Sequence, residues 1–190
     1  MFSINDITKY RENNRLEAKR AERALPRSIW ETYSAFANSL GGIILLGVSE
    51  NDDKSLSVTG VENADKMLMD FWNCVNNKAI VNANILNNHN VQIIDVSGKR
   101  VIRIDVPRAE RQDKPVHLGD NPFTGSFRRN GEGDYHCTNA EVKHMIRDSG
   151  DTPQDMTLLT QLSPDALDKD TLSRYRMHLS TQTIMNGAVL

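Results

Sequence analysis

The chain has 190 residues, enough for one domain of ordinary size with an appendage and too few for two full domains. Its formal net charge of −2 and sequence pI near 6.2 exclude a uniformly basic nucleic-acid binder, so any such binding needs a local patch. Two cysteines in different contexts, no apolar stretch of spanning length and no signal peptide point away from a disulfide framework or a membrane protein and toward a cytosolic chain with reduced thiols.

In chain order, residues 5–12 read as a short helix leading into Arg15-Leu16-Glu17-Ala18-Lys19, which alternates polar and apolar like a half-buried strand. Its polar face would carry Arg15, Glu17 and Lys19 together. Ser28-Ile29-Trp30-Glu31 has the form of a capping box, with Ser28 accepting from the Glu31 backbone and Glu31 reaching back. Ile29, Tyr33, Phe36 and Leu40 then recur at helical spacing, which predicts one buried face. Gly41 is the residue type that ends a helix in the left-handed conformation, and Gly42 lets the chain turn into Ile43-Ile44-Leu45-Leu46, a run expected to be a central strand covered on both faces. These glycines follow a helix and precede a strand, the reverse of a phosphate-loop order, so no ATP site is expected. Asn38 is expected to bond backbone groups at the helix end.

Asn51-Asp52-Asp53-Lys54 reads as a turn before a short strand that ends at Thr59-Gly60-Val61. Asn63 is placed to cap a helix through Met67, Leu68, Phe71, Trp72 and Val75. Val91 to Val96 and Val101 to Val106 flank Ser97-Gly98 as an antiparallel hairpin, with Ile102, Ile104 and Val106 inward, Arg103 and Asp105 outward, and Pro107 as its end. Residues 108–137 are polar and glycine-bearing, with room for one or two short strands among long connections. Thr138-Asn139-Ala140-Glu141 opens a further helix through Val142, Met145 and Ile146 that stops near Gly150. An acidic stretch from Asp148 to Asp170 follows, and Ser163-Pro164 caps a last helix bearing Leu167, Leu172, Tyr175 and Leu179. The expected class is α+β, a mixed, largely antiparallel sheet packed with helices over residues 1–150. Residues 151–190 are read as an acidic linker and C-terminal helical tail that leads toward a further region.

Charge is unevenly spread. Residues 1–30 hold seven bases against four acids, and residues 31–98 hold three bases against eight acids. A second basic cluster comprises Lys99, Arg100, Arg103, Arg108, Arg111, Lys114, Arg128 and Arg129. If the two basic clusters meet in space they form a phosphate-binding surface; if they do not, they are solvated outer faces. Phe127 and Tyr135 interleave with Arg128 and Arg129, a combination that either stacks bases or serves the core. His117, His136, Cys137 and His144 fit no zinc spacing, and no zinc is expected.

Glu17-Ala18-Lys19, Leu25-Pro26, Glu31-Thr32 followed by AFAN, the double glycine, the apolar run, Gly47-Val48 and Thr59-Gly60-Val61 occur in an order that resembles the AlbA-like domain of the Schlafen type. The resemblance extends over roughly residues 5–147, with its specific motifs in residues 15–61 and weaker echoes at Ser126-Phe127-Arg128-Arg129 and Gly131. It implies a DNA-binding domain, often found in bacterial proteins beside an ATPase-like or winged-helix region. In animal Schlafens the related core resembles an endoribonuclease acting on structured RNA.

On that resemblance, Lys19, Arg20, Arg128 and Arg129 are the expected phosphate contacts of a DNA- or RNA-binding domain in a transcriptional regulator. An alternative activity, metal-dependent cleavage of structured RNA, would use Glu12, Glu17 and Glu50 as catalytic carboxylates holding Mg²⁺ or Mn²⁺. Here the sequence departs from the family's nucleases, which have Asp where this chain has Glu50, with Asp52 and Asp53 nearby. The zinc motif of animal Schlafens is also missing. A third alternative is a regulatory module of an ATPase-like protein, forming a homodimer in imitation of the two lobes of animal Schlafens.

Overall fold

The computed structural model describes residues 11–150. The short helix expected over residues 5–12 falls almost wholly outside the described residues, and so do the acidic linker and the helical tail. Eight strands and four α-helices follow one another as β1 Leu16–Lys19, α1 Ile29–Asn38, β2 Gly42–Leu46, β3 Val48–Glu50, β4 Leu56–Val58, α2 Ala64–Val75, β5 Val91–Val96, β6 Lys99–Val106, α3 Pro122–Gly125, β7 Phe127–Asn130, β8 Gly133–His136 and α4 Asn139–Asp148. The main sheet has the order β1-β2-β6-β5, parallel between β1 and β2 and antiparallel elsewhere. β3 with β4 and β7 with β8 form two further antiparallel pairs. The fold is therefore α+β with a mixed sheet.

The sheet is covered on both faces, as the apolar run in β2 requires. On one face α1 and α2 pack Ile29, Tyr33, Phe36, Met67 and Phe71 against Ile44, Leu46, Ile102 and Ile104, all buried. Trp30 of α1 stacks on Phe71 of α2 at 5.5 Å. On the other face Leu45 and Val101 meet Leu16, Val48, Leu56 and Val96. The β5–β6 hairpin turns at Ser97 and Gly98, both with positive φ, which matches the right-handed twist of the paired strands. Asn63 caps α2 by accepting from the Lys66 backbone N–H at 3.0 Å. Thr138 and Glu141 form the reciprocal cap of α4. Among the described residues no helix is long and apolar enough to cross a membrane.

Two local expectations, a cap by Ser28 and a buried Leu40, are corrected. Ser28 makes no side-chain cap, because its own backbone is already helical (φ −65°, ψ −9°) and its hydroxyl is not directed at the free N–H groups. The helix is instead entered through a turn in which Pro26 and Arg27 carbonyls accept from Ile29 and Trp30. Leu40 is exposed, since α1 stops at Asn38 and Leu40 lies in the turn that reaches Gly41. The strand that begins at Gly42 breaks at Gly47, whose φ of +86° bends the chain out of the main sheet. A Cβ on Gly47 would meet the Gly60 backbone at 2.9 Å. That bend sends β3 off to pair with β4 and sets Glu50 as its last residue.

Candidate nucleic-acid interface

Glu17 and Lys19 lie on β1 in register with Ile44 and Leu46, so their side chains share the face on which the helices pack. They are largely buried, at 14% and 12% exposure, and Lys19 Nζ donates to Glu17 Oε1 at 2.9 Å. The other oxygen of Glu17 accepts from Arg129 Nη2 on β7 at 2.8 Å. Arg129 has a side chain only 2% exposed, and its second amino group donates to Asp134 Oδ1 at 2.8 Å. Asp134 in turn accepts from the Thr32 hydroxyl of α1 at 2.7 Å. The guanidinium lies 5.1 Å from the centre of the Phe36 ring and also donates to the Asn13 carbonyl. Burial alone would weaken its charge, but the Asp134 and Glu17 carboxylates more than offset that and hold it firmly protonated. One arginine thus joins β1, α1 and the β7–β8 hairpin.

Glu12 stands beside this network. Its Oε1 accepts from the Ala18 backbone N–H at 2.8 Å, across the outer edge of β1. Burial raises its pKa, the Ala18 bond opposes the shift, and the nearby carboxylates of Glu17 and Glu50 raise it further. Glu50 accepts from Lys54 Nζ through Oε2 at 3.0 Å, whereas its Oε1 is buried without a hydrogen-bond partner. Lys54 also approaches Glu132 of the β7–β8 turn at 3.9 Å. Lys54 therefore links the β3–β4 turn to the β7–β8 turn beside Glu50. Among the described residues no three Asp, Glu, His or Cys side chains are grouped as metal ligands. Asp53 is spent on its own turn, accepting from the Ser55 backbone and hydroxyl.

The four residues expected to contact phosphate fall into two kinds. Among the described residues Arg20 is 71% exposed and pairs with Glu22, and Arg128 is 39% exposed with Glu141 at 3.3 Å. Lys19 and Arg129 are interior cations, already committed to the carboxylates of β1 and β8. Arg128 is in register with Tyr135, whose ring is exposed, while the next aromatic, Phe127, is buried.

A family model described as Schlafen, AlbA_2 matches residues 12–138. The chain belongs to the Schlafen AlbA_2 family. Its AlbA_2 domain is also similar to the N-terminal domain of a RecG-related protein from Nitrosomonas europaea named as an ATP-dependent DNA helicase, with 30% identity and a TM-score of 0.52 over 73% of this chain and 95% of that one. The DIP2311 protein from Corynebacterium diphtheriae is 16% identical with a TM-score of 0.46, matching 92% of this chain and 34% of the other. No curated protein matches the chain.

Sequence reasoning missed several residues that build the AlbA_2 site. Asp134 is the second anchor of Arg129, and its signal was its place across the hairpin, paired in register with Arg129. Lys54 was read as part of a turn, although its position four residues after Glu50 allows the ion pair seen. Asn38 bonds backbone as expected but over long range: its amide nitrogen donates to the Val116 and Phe127 carbonyls and its oxygen accepts from Val116 N–H. Those three bonds fix the loop that delivers β7 to α1.

Proposed function

We propose that the AlbA_2 domain binds nucleic acid through its phosphates, with Arg20 and Arg128 as exposed contacts and Lys19 and Arg129 holding the surface between them. The observation that carries this reading is the Glu17–Arg129 ion pair. It seats β7, which bears Arg128, against β1, which leads directly into Arg20, although the two partners lie 112 residues apart in sequence. The pair ties the strand that carries Arg128 to the strand that leads into Arg20, which supports a phosphate-binding surface drawing on both basic clusters. Tyr135, exposed opposite Arg128, offers a ring on which a base can stack. The helicase name of the Nitrosomonas relative favours DNA as the first ligand to try. A fluorescence titration with single-stranded DNA, duplex DNA and tRNA at several salt concentrations tests the reading. The Arg20→Gln, Arg128→Gln double variant is expected to bind about tenfold or more weakly; absence of salt-dependent binding to any of the three ligands would falsify the proposal.

A second reading, a metal-dependent endoribonuclease, is favoured by one observation: the buried, unpartnered Oε1 of Glu50 near a Glu12 whose proton affinity is raised by burial and then by the carboxylates of Glu17 and Glu50. Glu12 and Glu50, with Glu17, would hold Mg²⁺ or Mn²⁺, a hard cation that takes oxygen ligands and lowers the pKa of bound water. Lys54 sits on Glu50 and would have to yield part of that contact. Structured RNA incubated with Mn²⁺ separates the cases. Cleavage that Glu50→Gln and Glu12→Gln both abolish supports the enzyme; equal cleavage by wild type and both variants removes it.

A further inference from the structure

Away from the Glu17–Arg129 network, a cavity of about 520 Å³ opens where β6 ends, between the C-terminal end of α1 and the last turn of α4. Its walls carry three bases, Arg108, Arg111 and Lys114, against two acids, Glu110 and Asp148, with Asn38 at its inner end. Lys114 is half-buried and donates to the Asn38 main-chain carbonyl at 2.9 Å, which pins its ammonium at the negative end of the α1 dipole. Burial lowers its pKa, and the charge of the adjacent Arg108 lowers it further. Among the described residues neither Arg108 nor Lys114 has an ion-pair partner. Asp148 accepts from Arg147 through its carboxylate and from Arg111 through its carbonyl, and among the described residues Glu110 forms no salt bridge with Arg108 or Lys114. The walls thus carry one more base than acids, and Arg108 and Lys114 lie close enough to repel one another, at a cost in Coulomb energy that a bound anion would relieve.

We propose that this cavity is a phosphate-binding site, built by Arg108 and Lys114 and distinct from the surface bearing Arg20 and Arg128. Arg108 brings a planar fork suited to two oxygens of one phosphate group. Lys114 keeps two further N–H donors beyond the one given to Asn38. The cavity is open to solvent and large enough for a phosphate with a substituent, so a free phosphate compound or the terminal phosphate of a nucleic acid would satisfy it equally.

Calorimetric titration of the full chain with inorganic phosphate and with pyrophosphate tests the site. Saturable binding is expected in the wild type, weakened about tenfold or more in Arg108→Gln, as for loss of a charge-assisted contact. Arg108 is exposed and forms no salt bridge among the described residues, so this variant is expected to keep the wild-type melting temperature without ligand; Lys114→Gln, which also loses the Asn38 bond, serves as the second variant. An oligonucleotide with and without a 5′-phosphate separates the two sources: a preference for the phosphorylated form that Arg108→Gln abolishes assigns a nucleic-acid end, and equal binding of both forms assigns a small phosphate compound. No response of the wild type to phosphate or pyrophosphate, or the same response in both variants, overturns the proposal. The Arg20→Gln, Arg128→Gln variant should retain phosphate binding, so this inference stands or falls apart from the nucleic-acid reading.

Discussion

Arg129 shows why a single residue can decide the integrity of this domain. Its guanidinium is removed from water, with Nε unpartnered and both amino groups paired with carboxylates that are themselves largely buried. Truncation therefore leaves Asp134 without a counter-ion and Glu17 with Lys19 alone in a dry setting, which costs more than the pair itself contributes. Arg129→Ala should destabilise the domain by about 3–5 kcal/mol, read by urea unfolding. Arg129→Lys should recover only part of that, because an ammonium cannot reach both acids with a planar fork. Glu12 makes the opposite case. Its pKa is raised on folding, so its contribution to stability is fully present below the unfolded carboxylate pKa and is lost as pH rises through the folded value. Glu12→Gln keeps an acceptor for the Ala18 N–H while deleting the charge. Its melting temperature should exceed that of wild type at neutral pH, and the two curves should converge below a pH of about 4; a constant gap across that range would refute the linkage.

At the level of elements, the turn between α1 and β2 leaves no room for a side chain at either glycine. Gly41 has φ of +74°, and a Cβ there would stand 2.7 Å from the Val106 carbonyl oxygen, a main-chain atom that cannot swing aside. Gly42 is confined by the Phe36 ring, also at 2.7 Å from an added Cβ. Gly41→Ala should lower stability by about 2 kcal/mol or more in thermal or urea melts, the left-handed strain and the contact acting together. This double glycine was legible in the sequence because helix stop and strand start are both local. The same holds for the Asn63 cap and the Ser97-Gly98 hairpin, where the side-chain type and the backbone conformation it supports coincide within four residues. The failed cap at Ser28 had the right residues but the wrong backbone, which only the approach of the Pro26 turn determines. A role for Glu12, Glu17 and Glu50 together was suggested by family resemblance; the bend at Gly47, which decides where Glu50 stands, was hidden at the end of an apolar run that reads as one straight strand. The burial of Lys19 and Arg129 was likewise out of reach, since it depends on β7 folding back on β1 across most of the domain.

For the whole molecule, a net charge of −2 means that association with a polyanion draws no help from the overall field and depends on the local surface. If Arg20 and Arg128 are the phosphate contacts on duplex DNA, the plot of log affinity against log salt should have a slope of about −2. A markedly steeper slope would enlist the exposed Arg11, Arg15, Arg23 and Arg27 near the start of the domain, and a flat one would argue for contacts that are not ionic. Self-association is constrained by a different feature. β1 is an outer strand of the main sheet, yet its free side is occupied: Asn13 and Leu16 exchange main-chain hydrogen bonds there, and the Glu12 side chain takes the Ala18 N–H that follows. The lead-in thus acts as a stub of strand, part backbone and part carboxylate, that blocks strand addition by another chain at this edge. Two copies of the domain cannot extend the sheet through β1 without first peeling away the segment that carries Glu12.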